Sequence, residues 1–222
     1  MSSSNPTATA VPDSENQQGA VMLSGNKLFC ERDDRVLFQD LDFNLHEGEV
    51  MQLRGSNGSG KTTLMRMLCG LNDGYKGEIS WYGASVSEQA GDFYHSLHYI
   101  GHRVGVSKVL TPVENLRWSC SLKSEVDDQL IEKTLADLGL RGYEESPCHT
   151  LSAGQQQRVA LARLLINPMK LWILDEPFTT LDPKGVKQLE ENILSHANSG
   201  GAVMVTTHHK LNIPGMNVLD LG

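Results

Sequence analysis

The chain has 222 residues, 39% of them hydrophobic, with 27 acidic against 19 basic side chains and a net charge of −8. That length suits one sizeable domain, or a core with a small subdomain, and the charge argues against non-specific nucleic-acid binding by broad phosphate neutralisation. No run approaches the ~18 apolar residues of a membrane span, so membrane contact is expected only through a partner.

Residues 1–20 are rich in Ser, Thr, Asn, Gln and Pro. With no basic start and no apolar centre they do not read as a secretory signal, and a disordered tail is expected. From Val21 to Trp81 short apolar runs alternate with turn signals at Asp33-Asp34 and Glu47-Gly48, and Gly77–Trp81 reads as a strand. These predict a small antiparallel layer. Val50–Arg54 reads as a short buried strand. Gly55, Ser56, Asn57, Gly58, Ser59, Gly60, Lys61 and Thr62 follow it and fit the phosphate-loop pattern G-x-x-x-x-G-K-[ST] at every fixed position. Leu64, Met67, Leu68 and Leu71 then recur at helical spacing. Strand, glycine loop and helix start make an anion site. The glycines let backbone N–H groups approach phosphate oxygens, and the helix end adds partial positive charge. Lys61 would reach the β- and γ-phosphates, and the Thr62 hydroxyl would ligate Mg²⁺.

Leu97–Ile100 is a further strand candidate, after which the chain turns helical. Thr111, Pro112 and Glu114 form a capped helix start. Ser124 opens a second helix, with Val126, Leu130, Ile131, Leu135 and Leu138 on its apolar side and Gly139 as its stop. Ser152 and Gln155 form a capping box before Val159, Leu161, Leu164 and Leu165. Residues 103–166 are thus expected to be a helical insertion.

Leu171–Leu174 is a continuous apolar run, as in a central parallel strand, and it ends in Asp175-Glu176. Both carboxylates would lie at the carboxyl edge of a sheet, where ligands of open α/β folds bind. Asp175 suits Mg²⁺, and Glu176 can orient and deprotonate a water. Asp182-Pro183 starts a helix that runs to Gly200-Gly201, and Ala202–Val205 is another buried strand. The Leu151–Gln155 segment offers a hydroxyl, backbone N–H groups and a helix end to an anion, a use best suited to a γ-phosphate held by another subunit. The same residues also suit an ordinary capped helix. There is no internal repeat, and one nucleotide domain over 21–222 is expected, with an α/β phosphate-loop NTPase core. Cys30, Cys69, Cys120 and Cys148 show no C-x-x-C spacing and read as free thiols of a reducing compartment, with Cys69 packed in the phosphate-loop helix.

Taken together, Gly55–Thr63, Leu151–Gln155, Leu174–Pro177, Thr179–Asp182 and Thr206–His208 make residues 21–210 similar to the ATP-binding subunit of ABC transporters. The resemblance implies ATP and Mg²⁺ as cofactors. It also implies an ABC-type core and a dimer of two copies of the chain around the nucleotides. In it Gly55–Thr62 is the Walker A loop, with Thr63 also at the nucleotide, and Leu171–Asp175 is the Walker B strand, with Thr62 and Asp175 on the metal. Glu176 is the catalytic carboxylate, helped by Lys61 and by His208, the switch histidine. Ser152, Gly154 and Gln155 belong to the signature motif, and Asp182 to the loop across the dimer interface.

Cys30–Phe38, Ile100–His102, Leu110–Leu116 and Leu171–Phe178 further resemble the ATPases of bacterial cytochrome c maturation, or heme exporters. That implies integral membrane partners and a peripheral place on the cytoplasmic face of the inner membrane. ATP hydrolysis would serve heme delivery or release of a heme-loaded chaperone. An ABC ATPase for another small solute stays open. So does a soluble clamp on nucleic acid, which the single domain, the absence of heptads and the charge disfavour.

Two positions depart from the ABC pattern. His102 stands where a glutamine is usual, either coupling Mg²⁺ to the membrane subunit or serving only its loop. Arg32, with Phe29 nearby, stands where an aromatic adenine platform is usual. His95, His98 and His209 read as ordinary surface or core histidines, and Met65 and Met67 as core fillers.

Overall fold

The computed structural model describes residues 19–121 and 127–222. Val21–Arg32 (β1) and Arg35–His46 (β2) pair antiparallel about the Asp33–Asp34 turn, where both residues hold positive φ, 52° and 58°. Val50–Arg54 (β3) leaves this hairpin for a second sheet and feeds Lys61–Leu68 (α1). Lys76–Trp81 (β4) and Ala84–Ser85 (β5) complete an antiparallel sheet of order β2-β1-β4-β5. Ala90–His95 (α2) and Leu97–Ile100 (β6) follow. Then come the helices Pro112–Ser121 (α3), Asp128–Asp137 (α4) and Ala153–Ile166 (α5). Leu171–Asp175 (β7), Pro183–Asn198 (α6), Ala202–Thr206 (β8) and Asn217–Asp220 (β9) end the chain. The second sheet has order β6-β7-β8-β3-β9, with every pair parallel.

The continuous apolar runs of β7 and β8 follow from burial on both faces. Leu171, Ile173, Ala202 and Met204 point into a core shared with the antiparallel sheet and α1. Trp172, Leu174, Val203 and Val205 point to the opposite side, against Leu161 and Leu164 of α5 and Leu189 and Ile193 of α6. A third core joins Val113, Leu116, Ile131 and Leu135 to Val159 and Ala162 of α5. So α5 presents one side to the parallel sheet and the other to α3 and α4. Among the described residues no helix is long and apolar enough to cross a membrane.

Several expectations need correction. Leu71 is 54% exposed, because α1 ends at Leu68 and Gly70 (φ 66°) turns the chain outward. Leu130 and Leu165 lie on the outer sides of their helices, while Ile131, Leu135, Leu138, Leu161 and Leu164 are buried. Ser124 and Val126 lie outside the described residues, as do residues 1–18; α4 as described is capped by Asp127, which accepts from the Gln129 N–H at 3.0 Å. Cys69 caps the end of α1 rather than lying within it. Burial pushes its thiol up to about 12, and all four cysteines are buried and free. β5, α2 and β9 have no counterpart among the elements expected from the sequence. Phe93 is the one buried residue of α2, packed at 5.3 Å against Trp81.

The Trp172 indole of β7 stacks on the His196 ring of α6, with centroids 3.9 Å apart and planes within 6°. Burial lowers the His196 pKa from its ordinary value, against a smaller opposite effect of the Lys170 carbonyl beside Nε2. The folded state therefore prefers the neutral ring. As pH falls below about 6.5 the unfolded chain takes up the proton first, and stability is lost toward the lower folded pKa. His196→Phe is expected to keep the stack and remove this part of the acid loss. Denaturation midpoints of both proteins above and below that pH check it.

Candidate active site

Parallel pairing brings four strand ends to one edge. Leu53 of β3 and Asp175 of β7 both lie opposite Thr206 of β8, and Ile100 of β6 lies opposite Leu174. The phosphate loop, the two carboxylates, Thr207–His208 and the stretch from Gly101 therefore leave the sheet side by side. They line a cavity of about 1000 Å³ that holds Gly58, Lys61, Thr62, Thr63, Asp175, Glu176, His102 and His208.

The loop conformation depends on its glycines. Gly60 caps α1 at φ 102°, and a Cβ there would lie 3.1–3.3 Å from Leu37 Cβ and the Phe38 ring. Gly58 holds φ 85°. Both are left-handed positions that side chains resist. Lys61 Nζ donates to the Gly55 carbonyl at 2.8 Å and the Ser56 carbonyl at 2.9 Å. That anchors the ammonium over the loop and leaves its third N–H for a phosphate oxygen. Ser59 Oγ is buried with no hydrogen-bond partner among the described residues, a polar atom in keeping with an anion cradle.

A hydrogen-bonded chain links the ends of β7 and β8 to the start of α1. The Thr62 hydroxyl donates to Asp175 Oδ2 at 2.8 Å. The Thr206 hydroxyl donates to Asp175 Oδ1 at 2.8 Å and accepts from the Glu176 N–H at 2.9 Å. Glu176 itself holds φ 53°, a strained backbone for a residue with a side chain, pinned further by the Thr206 carbonyl at 3.2 Å. The pinning aims its carboxylate into the cavity, where Oε1 lies 3.5 Å from His208 Nε2. Thr62 and Asp175 present hard oxygens 2.8 Å apart, a donor set that fits Mg²⁺. No group of three or more His, Cys, Asp or Glu suited to a metal occurs among the described residues, so such an ion would need nucleotide oxygens and water to complete its shell.

Thr206, which the sequence places in the Thr206–His208 motif without a role of its own, is thus a site residue. Its signal was a hydroxyl ending an otherwise apolar buried run. Thr206→Val keeps the shape but takes the hydroxyl donor from Asp175 Oδ1 and leaves the Glu176 N–H with the Thr206 carbonyl as its remaining partner. A loss of about 1–3 kcal/mol in denaturant stability is expected, with a drop in turnover from the released Glu176. Parallel denaturation and kinetic assays check both.

The remaining predicted residues divide. The Ser152 capping box forms, with Ser152 N–H to Gln155 Oε1 at 2.9 Å and Gln155 N–H to Ser152 Oγ at 3.2 Å. Ser152 Oγ accepts in that pair, so its own O–H is left to donate elsewhere. Ser152, Gly154, Gln155 and Asp182 lie outside the cavity lining, whereas Ala153, Gln156 and Gln157 border it. Two contacts fix the start of α5 to the segment after Glu176. Gln157 Nε2 donates to the Pro177 carbonyl at 3.0 Å, and a Cβ on Gly154 would stand 2.7 Å from the Thr180 carbonyl oxygen. Asp182 caps α6 through the Gly185 N–H at 3.1 Å and pairs with Arg158 Nη2. The Arg158 hydrogen bond, then that N–H, holds its carboxyl below the usual range. Gly55, Ser56 and Ser59 form the base of the loop rather than the cavity wall, while Asn57 borders the cavity. Arg32 also borders it, whereas Phe29 lies under Lys76 Nζ at 5.4 Å from the ring centre and does not. His95 ends α2, His98 lies in β6 and His102 in the following loop, so the three share no element.

Comparison with known proteins agrees with this geometry. The ABC transporter family model matches residues 38–179. The cytochrome c biogenesis ATP-binding export protein CcmA of Hahella chejuensis is 50% identical over 194 residues, 87% of this chain and 92% of that one. The protein of the same name in Pseudomonas fluorescens is 49% identical over 197 residues, 88% and 93% of the two chains. A solved ATP-binding subunit of an ABC transporter superposes with a TM-score of 0.76 at 25% identity, over 84% of this chain and 79% of that one. The chain belongs to the ABC transporter family, as one of its ATP-binding, ATP-hydrolysing subunits.

Proposed function

We propose that two copies of the chain enclose Mg²⁺ and ATP and drive the export complex of cytochrome c biogenesis. The observation that carries the biogenesis role is the 50% identity, over 87% of the chain, to a protein named for it. The pairing is supported by Ser152, whose exposed hydroxyl stands at the start of α5 outside the cavity of its own chain. Each copy gives Lys61, Glu176 and His208 to one nucleotide, and Ser152 and Gly154 to the other.

Lys61 and the loop amides hold the β- and γ-phosphates. Thr62 and Asp175 would hold Mg²⁺, which would supply charge neutralisation to the triphosphate. Glu176 aligns water for attack on the γ-phosphorus and takes its proton as the bond to the β–γ bridging oxygen breaks and ADP leaves; His208 and Lys61 stabilise the charge that develops. Asp182 orders the loop beside the partner copy, and His102, bordering the cavity, links it to the helical layer over 103–166. The export role implies integral membrane subunits and a peripheral position on the cytoplasmic face of the inner membrane. The work performed is heme delivery or release of a heme-loaded chaperone.

Affinity capture from detergent extract, with the partner identified, tests this reading. Membrane subunits of cytochrome c maturation are expected. Cells whose sole copy is Glu176→Gln are expected to lose heme-stained c-type cytochromes. Capture of an unrelated solute permease, with normal c-type cytochromes, would contradict the biogenesis role and leave the ATPase standing.

A further inference from the structure

The stretch between β6 and α3 adds two cations to the cavity wall, Arg103 and Lys108, that no motif above accounts for. β6 runs parallel to β7, with Ile100 opposite Leu174, so this stretch leaves the sheet at the edge from which Asp175 and Glu176 emerge. Arg103, three residues past Ile100, borders the cavity from the stretch that leaves the sheet at this edge. Arg32 and Leu37 border the cavity from the β1–β2 hairpin instead.

The Arg103 and Lys108 side chains make no hydrogen bond or ion pair among the described residues. Other arginines nearby are engaged: Arg158 with Asp182 and Leu138, and Arg163 with Ala160 and Val104. Arg32, Lys61, Arg103 and Lys108 outnumber Asp175 and Glu176 along the lining, in a chain whose net charge is −8. A cleft of that sign in an acidic protein focuses attraction on an anion. The backbone beneath the two cations is held as well. Arg163 Nη2 of α5 donates to the Val104 carbonyl at 3.0 Å. Asn115 of α3 accepts from the Ser107 N–H at 2.7 Å and donates to the Ser107 carbonyl at 3.0 Å.

We propose that Arg103 contacts the γ-phosphate from the wall opposite the phosphate loop, with Lys108 as an auxiliary charge, so that the site distinguishes triphosphate from diphosphate. The proposal rests on the ATPase reading of this site. A guanidinium offers a planar fork to a phosphate's oxygens, which a lysine ammonium does not. The Val104–Arg163 bond lies one residue away, so engagement of Arg103 bears on α5, the helix that Ser152 caps.

The test measures binding of ADP and of a non-hydrolysable ATP analogue, with Mg²⁺, to the full chain and to Arg103→Ala and Arg103→Lys. Arg103→Ala is expected to weaken the analogue about fivefold or more and ADP less than about twofold, with Arg103→Lys intermediate for the analogue. Equal losses for both nucleotides, or no loss, would overturn the proposal. A wild-type chain that bound neither nucleotide would sink the ATP site itself and the proposal with it. That result is distinct from normal wild-type binding with an indifferent Arg103→Ala.

Discussion

Glu176→Gln is expected to lower ATP turnover by about two to four orders of magnitude, the usual worth of a positioned general base, while ATP binding persists. The amide keeps the shape of the carboxylate. It also keeps the backbone N–H bonds to the Thr206 hydroxyl and carbonyl, so the left-handed turn after β7 is retained. What disappears is the ability to accept a proton from water next to the γ-phosphate. Asp175 does not replace it, because it is buried, held by the Thr62 and Thr206 hydroxyls and assigned to the metal rather than to the attacking water. With binding intact and hydrolysis stopped, nucleotide-bound pairs of chains accumulate, and sizing with and without ATP reveals them. Turnover at the wild-type rate would remove Glu176 from the chemistry.

The second large effect is expected at a residue that does not border its own chain's cavity. Gly154→Ala introduces a Cβ 2.7 Å from the Thr180 carbonyl oxygen, a backbone atom with little freedom to retreat. The start of α5 must move away from the segment that follows Glu176, and Ser152 moves with it. Displacements on the ångström scale cost reacting groups about a hundredfold in rate, and a loss of that order is expected here. Nucleotide binding by the single chain is expected to stay near wild type, since Lys61 and the phosphate loop are untouched. A kinetic assay paired with equilibrium nucleotide binding separates the two. Parallel losses in both would instead mean that the substitution disturbed the fold.

The parts of the site that the sequence made legible are those whose chemistry demands fixed residue types. Gly58 and Gly60 are needed for left-handed backbone, Lys61 and Thr62 for phosphate and metal, and Asp175-Glu176 for the end of a buried strand. The two-sided burial of β7 and β8 was legible for the same reason, because only apolar residues suit both faces. What escaped lacked such a signature. The four-residue β9 is an edge strand with Val218 exposed, so its pattern is polar and short. Phe93 is the one buried residue of α2, too few for an apolar stripe. Thr206, Gln157 and Arg158 act through partners distant in sequence, Asp175, Pro177 and Asp182, and only the folded chain brings these together. Ser152 was legible both as a helix cap and as a phosphate donor. The capping box forms, and its geometry leaves the hydroxyl proton available, so the two roles are compatible.

The central claim is that a complete hydrolytic centre needs parts from two chains. Mixed pairs test it most directly, with one chain carrying Lys61→Ala and the other an inactivating replacement at Gly154, captured through a different tag on each. One centre of such a pair keeps both an intact phosphate loop and an intact α5 start. Turnover is expected to return in the mixed pairs although each variant alone is inactive. Mixed pairs as inactive as either parent would contradict the account.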